Sequence, residues 1–163
     1  MKKIFTVLLI AAVTLGLLAG CGGSKNSGPS CTDILSKVRD SQESGFDTMY
    51  TYSDEEYKDN FDFMYGITWD MIDDGGILYT EQGGLADEIS IVHLKDQSDI
   101  SIAKEKFGNR IEDRKNTFQG YKPEEVYKLD NAKVIVQGNY VCLIIAEDSD
   151  LMETTIRDAV TNS

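Results

Sequence analysis

The sequence predicts an α+β fold: an antiparallel sheet of about four strands, built from two hairpins, packed with long helices in two layers and preceded by two N-terminal helices. Three observations predict it. Ala132 to Gln137 (AKVIVQ) and Tyr140 to Ala146 (YVCLIIA) flank Gly138-Asn139, a two-residue turn of the primed type that joins antiparallel strands. Glu88 to Leu94 (EISIVHL) is another β-branched run, with Ile89 and Ile91 facing one way and Val92 and Leu94 the other, a pattern that lets both faces be covered. Between these runs Ile100, Ala103, Phe107, Ile111 and Phe118 recur at helical spacing and make the stripe of a long amphipathic helix.

The first twenty residues read as an address. Lys2 and Lys3 precede an uncharged run from Ile4 to Leu18. That run is too short for a bilayer core, which takes about 20 residues, and has the character of a signal-peptide apolar segment. It closes on Leu18-Ala19-Gly20-Cys21. This resembles the lipobox of bacterial lipoproteins, a small-residue cleavage site placed directly before a cysteine. The resemblance implies cleavage between Gly20 and Cys21, a diacylglycerol on the Cys21 thiol, and a lipid-anchored protein on the outer face of the cytoplasmic membrane. Two or more acyl chains give stable anchoring where one gives marginal binding. Residues 1–20 are then the signal peptide, 21–30 the lipidated cysteine and a tether, and 31–163 a single α+β domain. Gly22 to Ser30 (GGSKNSGPS) is Gly/Ser-rich, with a coil reach of about 15–18 Å.

The remaining elements follow in order. Thr32 caps a helix over Asp33 to Gln42, with Ile34, Leu35 and Val38 on one face. Ser53-Asp54-Glu55-Glu56 matches a capping box, Tyr57, Phe61 and Met64 give the second helix its apolar face, and Gly66 stands where a helix-ending glycine belongs. Ile67 to Ile72 contains Trp69 and is left without an assignment. Asp73-Asp74-Gly75-Gly76 reads as a turn before a short strand, Ile77 to Thr80. Ser98 caps the long helix from Asp99 to about Gln119, Gly120 closes it and Pro123 bars continuation. Asp148, Ser149 and Asp150 open a last helix with Met152, Ile156 and Ala159 on its apolar side.

A second resemblance rests on particular residues. Asp87-Glu88-Ile89, Arg110 and Arg114 on the long helix, Tyr121-x-Pro-Glu, and Asn131-Ala-x-Val-Ile-Val-x-Gly-Asn-Tyr-Val together resemble a family of small Gram-positive bacterial lipoproteins carrying a domain of unknown function. The resemblance covers roughly Ile77 to Val160. It implies the lipoprotein setting and carries no activity, catalytic residue or ligand.

Composition bounds the function. The chain has 163 residues, 41% hydrophobic and 27% charged with 2 Pro, which excludes a collagen-like or fully disordered chain. The formal charge is −12 and the pI near 4.4, a balance opposed to nucleic-acid binding. Loss of Lys2 and Lys3 leaves 14 basic against 28 acidic residues, or −14. Neutral, cationic or divalent-metal-bridged partners suit that charge better than an anionic surface, and plain solubility accounts for it too.

Few residue constellations point to chemistry. His93 is the sole histidine and lies within a predicted strand, so a structural role is expected of it rather than that of a catalytic base. No Cys/His cluster with zinc spacing occurs, and the acidic runs lack the spacing of a calcium loop, so neither metal nor cofactor is expected. Cys31 and Cys142 remain after Cys21 is lipidated; outside the cytoplasm they are a possible disulfide, and otherwise small buried hydrophobes. Lys106, Arg110 and Arg114 recur every four residues on one helical face, a local reversal of sign. Either they grip an anion or an acidic partner, or acidic groups of the same fold neutralise them. Tyr50, Tyr52, Tyr57, Phe61, Phe63, Tyr65, Trp69 and Tyr79 crowd the first half, chiefly as core, with any exposed surplus marking a binding surface. The expectation is a non-catalytic extracytoplasmic interaction or accessory domain with an envelope protein partner. The alternatives are a small-ligand-binding lipoprotein of a transport system and, further off, an envelope hydrolase using paired carboxylates.

Overall fold

Alternation along the two central strands decides the architecture. In a computed structural model, which describes residues 28–41, 45–81 and 84–162, Glu88–Leu94 (β3) and Tyr140–Ile145 (β5) are neighbours in the middle of a five-stranded sheet. Ile89, Ile91, Cys142 and Ile144 point to one side; Val92, Leu94, Val141, Leu143 and Ile145 point to the other. Both sides are fully buried. A strand whose successive side chains are all apolar needs cover on both faces, and it has it.

The order of the sheet is β1-β2-β3-β5-β4, antiparallel throughout, with β1 at Thr48–Thr51, β2 at Ile72–Tyr79 and β4 at Lys133–Gln137. The two expected hairpins, β2-β3 and β4-β5, are present, and Gly138 takes the left-handed conformation that their predicted turn requires (φ 60°). A fifth strand, β1, corrects the expected count of four. It lies between the two N-terminal helices α1 (Cys31–Asp40) and α2 (Glu55–Tyr65).

The expected two layers are also corrected. Helices α1 and α5 (Ser149–Thr161) cover the Ile89/Ile91 face. Helix α2, the long α3 (Ile100–Tyr121) and the short α4 (Val126–Asp130) cover the Val92/Leu94 face. The long helices therefore lie on opposite sides of the sheet. The strand alternation required this, since placing both on one side would leave Ile89, Ile91 and Ile144 in water.

Local chemistry moves several boundaries. Helix α1 begins at Cys31, capped by Ser30 rather than Thr32: the Ser30 hydroxyl accepts from the Asp33 N–H (3.1 Å) and donates to its carboxylate (2.7 Å). The first residue of α2 follows Asp54, not Ser53, and Asp54 makes no side-chain cap. Its carboxylate is turned back onto Thr51, accepting from the backbone N–H (2.7 Å) and the hydroxyl (2.9 Å). Gly66 ends α2 in the left-handed conformation (φ 61°), as the sequence requires. Trp69 sits in a 3-10 turn, Trp69–Met71. Helix α3 runs to Tyr121, past Gly120, and α4 follows Pro123–Glu125.

The expected turn at Asp73-Asp74-Gly75-Gly76 is instead part of β2. The two glycines are there because helices press on the strand from both sides. A Cβ at residue 75 would stand 2.8 Å from the Tyr57 hydroxyl of α2; one at 76 would stand 2.7 Å from Leu35 Cδ1 of α1 and 3.0 Å from the Tyr50 carbonyl. Asp74 accepts from the Cys31 N–H (2.7 Å), an otherwise unpaired donor at the start of α1.

Gly20 and Cys21 lie outside the described residues. Residues 28–30, assigned above to the tether, are held against the domain: the Tyr140 hydroxyl donates to the Pro29 carbonyl (2.6 Å). Among the described residues, no helix is long and apolar enough to cross a membrane.

Candidate functional site

A cleft of ≈ 770 Å³ opens on the α2/α3 side of the sheet, at the end where Tyr79 of β2 pairs with Glu88 of β3. Its size is that of a small-molecule site. Strand β1 contributes Tyr50, in register with Ile77 of β2; helix α2 contributes Glu56, Tyr57, Asn60 and Met64. Tyr79, Thr80 and Glu81 continue from β2, with Gly84 and Leu85 beyond them. Arg110, Arg114 and Phe118 close it from α3, one helical turn apart.

The charged floor is Glu88. Its carboxylate is 2% exposed and receives Arg110 through two nitrogens (Nε 3.1 Å, Nη2 2.8 Å), Arg114 Nη1 at 3.2 Å, and the Tyr65 hydroxyl at 3.0 Å. Arg114 also donates to the Ala86 carbonyl (3.1 Å). Its Nε is buried without a hydrogen-bond partner. Burial disfavours the charge of both arginines. Glu88 more than compensates at Arg110, whose pKa is raised, and fails to do so at Arg114, whose pKa is lowered.

Beside it stands a second buried cluster. Lys128 of α4 reaches Asp87 (2.7 Å) and Glu125 (3.0 Å), and Glu125 accepts from the Ala86 N–H (3.0 Å). Asp87 and Glu88 thus fasten the start of β3 to α4 and α3 respectively. These are residues on which the family resemblance rested, and their physical role here is to join helices to the sheet.

The rim has a different character. Tyr50 and Tyr79 stack with ring centroids 6.1 Å apart. Glu56 accepts the Tyr50 hydroxyl proton, which pushes that phenol up to about 12. Glu56 and Glu81 are both exposed. Glu81 accepts from the Thr48 hydroxyl (3.3 Å).

The sequence-derived site residues fare unevenly. Arg110 and Arg114 meet at the cleft, both paired with Glu88, an acidic group of the same fold. Lys106 lines no part of the cleft and lies over Gly66 instead. Cys31 and Cys142 are free, buried thiols in one apolar cluster, not a disulfide; burial raises both, Cys142 to about 12. Thiols so shielded are poor nucleophiles. His93 is in β3 at the opposite end from the cleft, 3.9 Å from Asp73 and edge-on to Tyr140, with Nδ1 buried and unpartnered. Trp69 stacks on Tyr52 (4.5 Å) and joins Tyr57 and Phe61 in the core. Of the crowded aromatics, Phe63 is 91% exposed. Among the described residues, no group of three or more His, Cys, Asp or Glu is placed to hold a metal ion.

Sequence reasoning missed Tyr50, Tyr79 and Glu88 as a unit. Strand β1 (TMYT) is too short to give a periodic signal for the first of them. For Glu88 the available signal was an acidic residue on the inward face of an apolar strand, which must find a cation.

A family model described as a domain of unknown function, DUF4358, matches residues 47–146. The match begins before and ends before the stretch that the resemblance suggested. It contains all five strands, helices α2 to α4 and the whole cleft, while α1 and α5, the cover of the opposite face, fall outside it. No curated protein matches the chain, and no solved structure does.

Proposed function

The chain belongs to the DUF4358 family, and from that premise we propose a lipid-anchored, non-catalytic binding domain on the outer face of the cytoplasmic membrane, with the cleft as the seat of a small organic ligand. The observation that carries the reading is the cleft itself. It has apolar and aromatic walls, a few convergent polar groups and a volume in the small-molecule range. A catalytic role has less support, because His93 lies at the far end of β3 and the sole carboxylate in the floor is tied up by two arginines.

The anchor and the cleft suit each other. The lipobox at Leu18-Ala19-Gly20-Cys21 would put the lipid seven residues before Gly28. The chain is fastened at Pro29 by Tyr140, which pairs with His93. The cleft is at the Glu88 end of β3, five residues from His93 and so about 17 Å away. Tethered at one end of β3, the domain would present its cleft from the other.

A second reading is docking on an envelope protein partner, favoured by the exposed ring of Phe63 on α2. Two measurements test the proposal. Mass spectrometry of the native protein should find a diacylglyceryl group on an N-terminal Cys21, and a Cys21→Ala protein should leave the membrane fraction. A thermal-shift screen of that released protein should find small ligands that raise its melting temperature in a saturable way. An unmodified Cys21 would overturn the anchor; a silent screen, together with capture of a protein partner through Phe63, would replace the first reading with the second.

A further inference from the structure

We infer that the cleft recognises an organic cation, an ammonium carried on an apolar body, with the charge held at the rim by Tyr50, Tyr79, Glu56 and Glu81. The inference rests on the cleft being a ligand seat, as proposed above, and assigns its chemistry.

The sign follows from which charges are already spent. Glu88 is paired where it stands by Arg110 at 2.8 Å and Arg114 at 3.2 Å, and with Lys128, Asp87 and Glu125 alongside, the two buried clusters hold three positive and three negative groups. An incoming anion would find one unpartnered donor, the buried Arg114 Nε, and to gain more would have to draw the guanidinium groups off Glu88 and strand a buried carboxylate. At the rim, Glu56 and Glu81 are exposed and neither has an ion pair among the described residues. They line the cleft together with the stacked rings of Tyr50 and Tyr79. Aromatic faces attract a cation within about 6 Å of the ring centre, and adjacent carboxylates add to that attraction.

The remaining wall determines the rest of the ligand. Ile77, Leu85, Phe118 and Met64 offer an apolar lining below the rim. A bare metal ion would leave that surface wet, whereas an amphiphilic amine covers it. The full chain carries a formal charge of −12, which steers cations toward it and holds anions off.

Three probes with one body and three heads test the assignment: phenylbutylammonium, phenylbutanol and phenylbutanoate, titrated by calorimetry into the full-length Cys21→Ala protein at low and high salt. The ammonium should bind about tenfold tighter than the alcohol or the carboxylate. That preference should shrink as salt rises. A Glu56→Gln/Glu81→Gln double variant, altered only at exposed positions, should bind the ammonium no more tightly than the alcohol. Its circular dichroism melt confirms that it folds. If the carboxylate binds as well as the ammonium, the cation assignment is wrong and the ligand seat stands. If none of the three binds, the assignment and the ligand seat both fail.

Discussion

Gly76 and Leu35 meet where helix α1 crosses strand β2, so closely that a Cβ on residue 76 would lie 2.7 Å from Leu35 Cδ1. Leu35 is fully buried and has nowhere to go, and the Tyr50 carbonyl blocks the same space at 3.0 Å. Overpacking of this kind costs about 1–3 kcal/mol. Gly76→Ala is therefore expected to lower unfolding stability by that amount in urea titration. Gly75→Ala should do so too, through Tyr57 on the other side of the sheet.

Glu88 holds two arginines with a carboxylate that is 2% exposed. Removing one member of a buried ion group strands the others and costs about 3–5 kcal/mol. Glu88→Ala should reach that range in equilibrium unfolding. Glu88→Leu with Arg110→Met and Arg114→Met should recover most of the loss, because well-packed apolar groups replace such clusters at little cost. A triple variant as unstable as the single one would show that the cluster itself contributes net stability.

Cys31 and Cys142 are buried thiols, each raised above its ordinary pKa mainly by burial. In the Cys21→Ala protein at neutral pH, a thiol reagent should label neither residue in the folded state and both after denaturation in urea, without reductant. A mass two hydrogens lower, with labelling only after reduction, would mean that the two had joined.

Tyr50 gives the rim of the cleft a titration of its own. Its phenol is pushed up to about 12 because the hydroxyl is bonded to Glu56, with Tyr79 adding to the shift. A raised folded pKa means that the bond contributes to stability below about pH 10 and loses that contribution as pH rises toward 12. Ultraviolet titration, with Tyr50→Phe to identify the step, should show Tyr50 returning toward 10 in a Glu56→Gln protein.

Glu125 governs part of the acid limb. Burial alone would raise its pKa, but the Ala86 N–H and the Lys128 ammonium outweigh burial and hold it below the usual 4.5. A depressed folded value means stability that is fully present above pH 4.5 and lost as pH falls through the lower one. Glu125→Gln should make the fall in melting temperature between pH 5 and 3 shallower than in the parent.

What the sequence disclosed, it disclosed through periodicity. Strands β3, β4 and β5 and helices α3 and α5 each carry a run long enough for a period to show, and Met152, Ile156 and Ala159 are buried as their spacing predicts. Strand β1 is four residues of Thr, Met and Tyr with no such run. Asp73-Asp74-Gly75-Gly76 has the composition of a turn; only the approach of Leu35 and Tyr57 explains its glycines, and neither is near in sequence. The arginine stripe was legible on α3. Its partner, Glu88, lies 22 residues before Arg110 on another element, so its role could not be read from spacing. The cleft shares that fate, since Tyr50 and Tyr79 are brought together by the register of β1 on β2.

The strand order carries a consequence for how the chain assembles. The two hairpins close over eight and two residues, but the junction between them pairs Ile91 with Cys142, fifty-one positions apart, a long-range closure that is slow relative to either turn. Until then two half-sheets each expose a sticky apolar border. A chain handed unfolded across a membrane would pass its most aggregation-prone moment there, before that central seam is sewn.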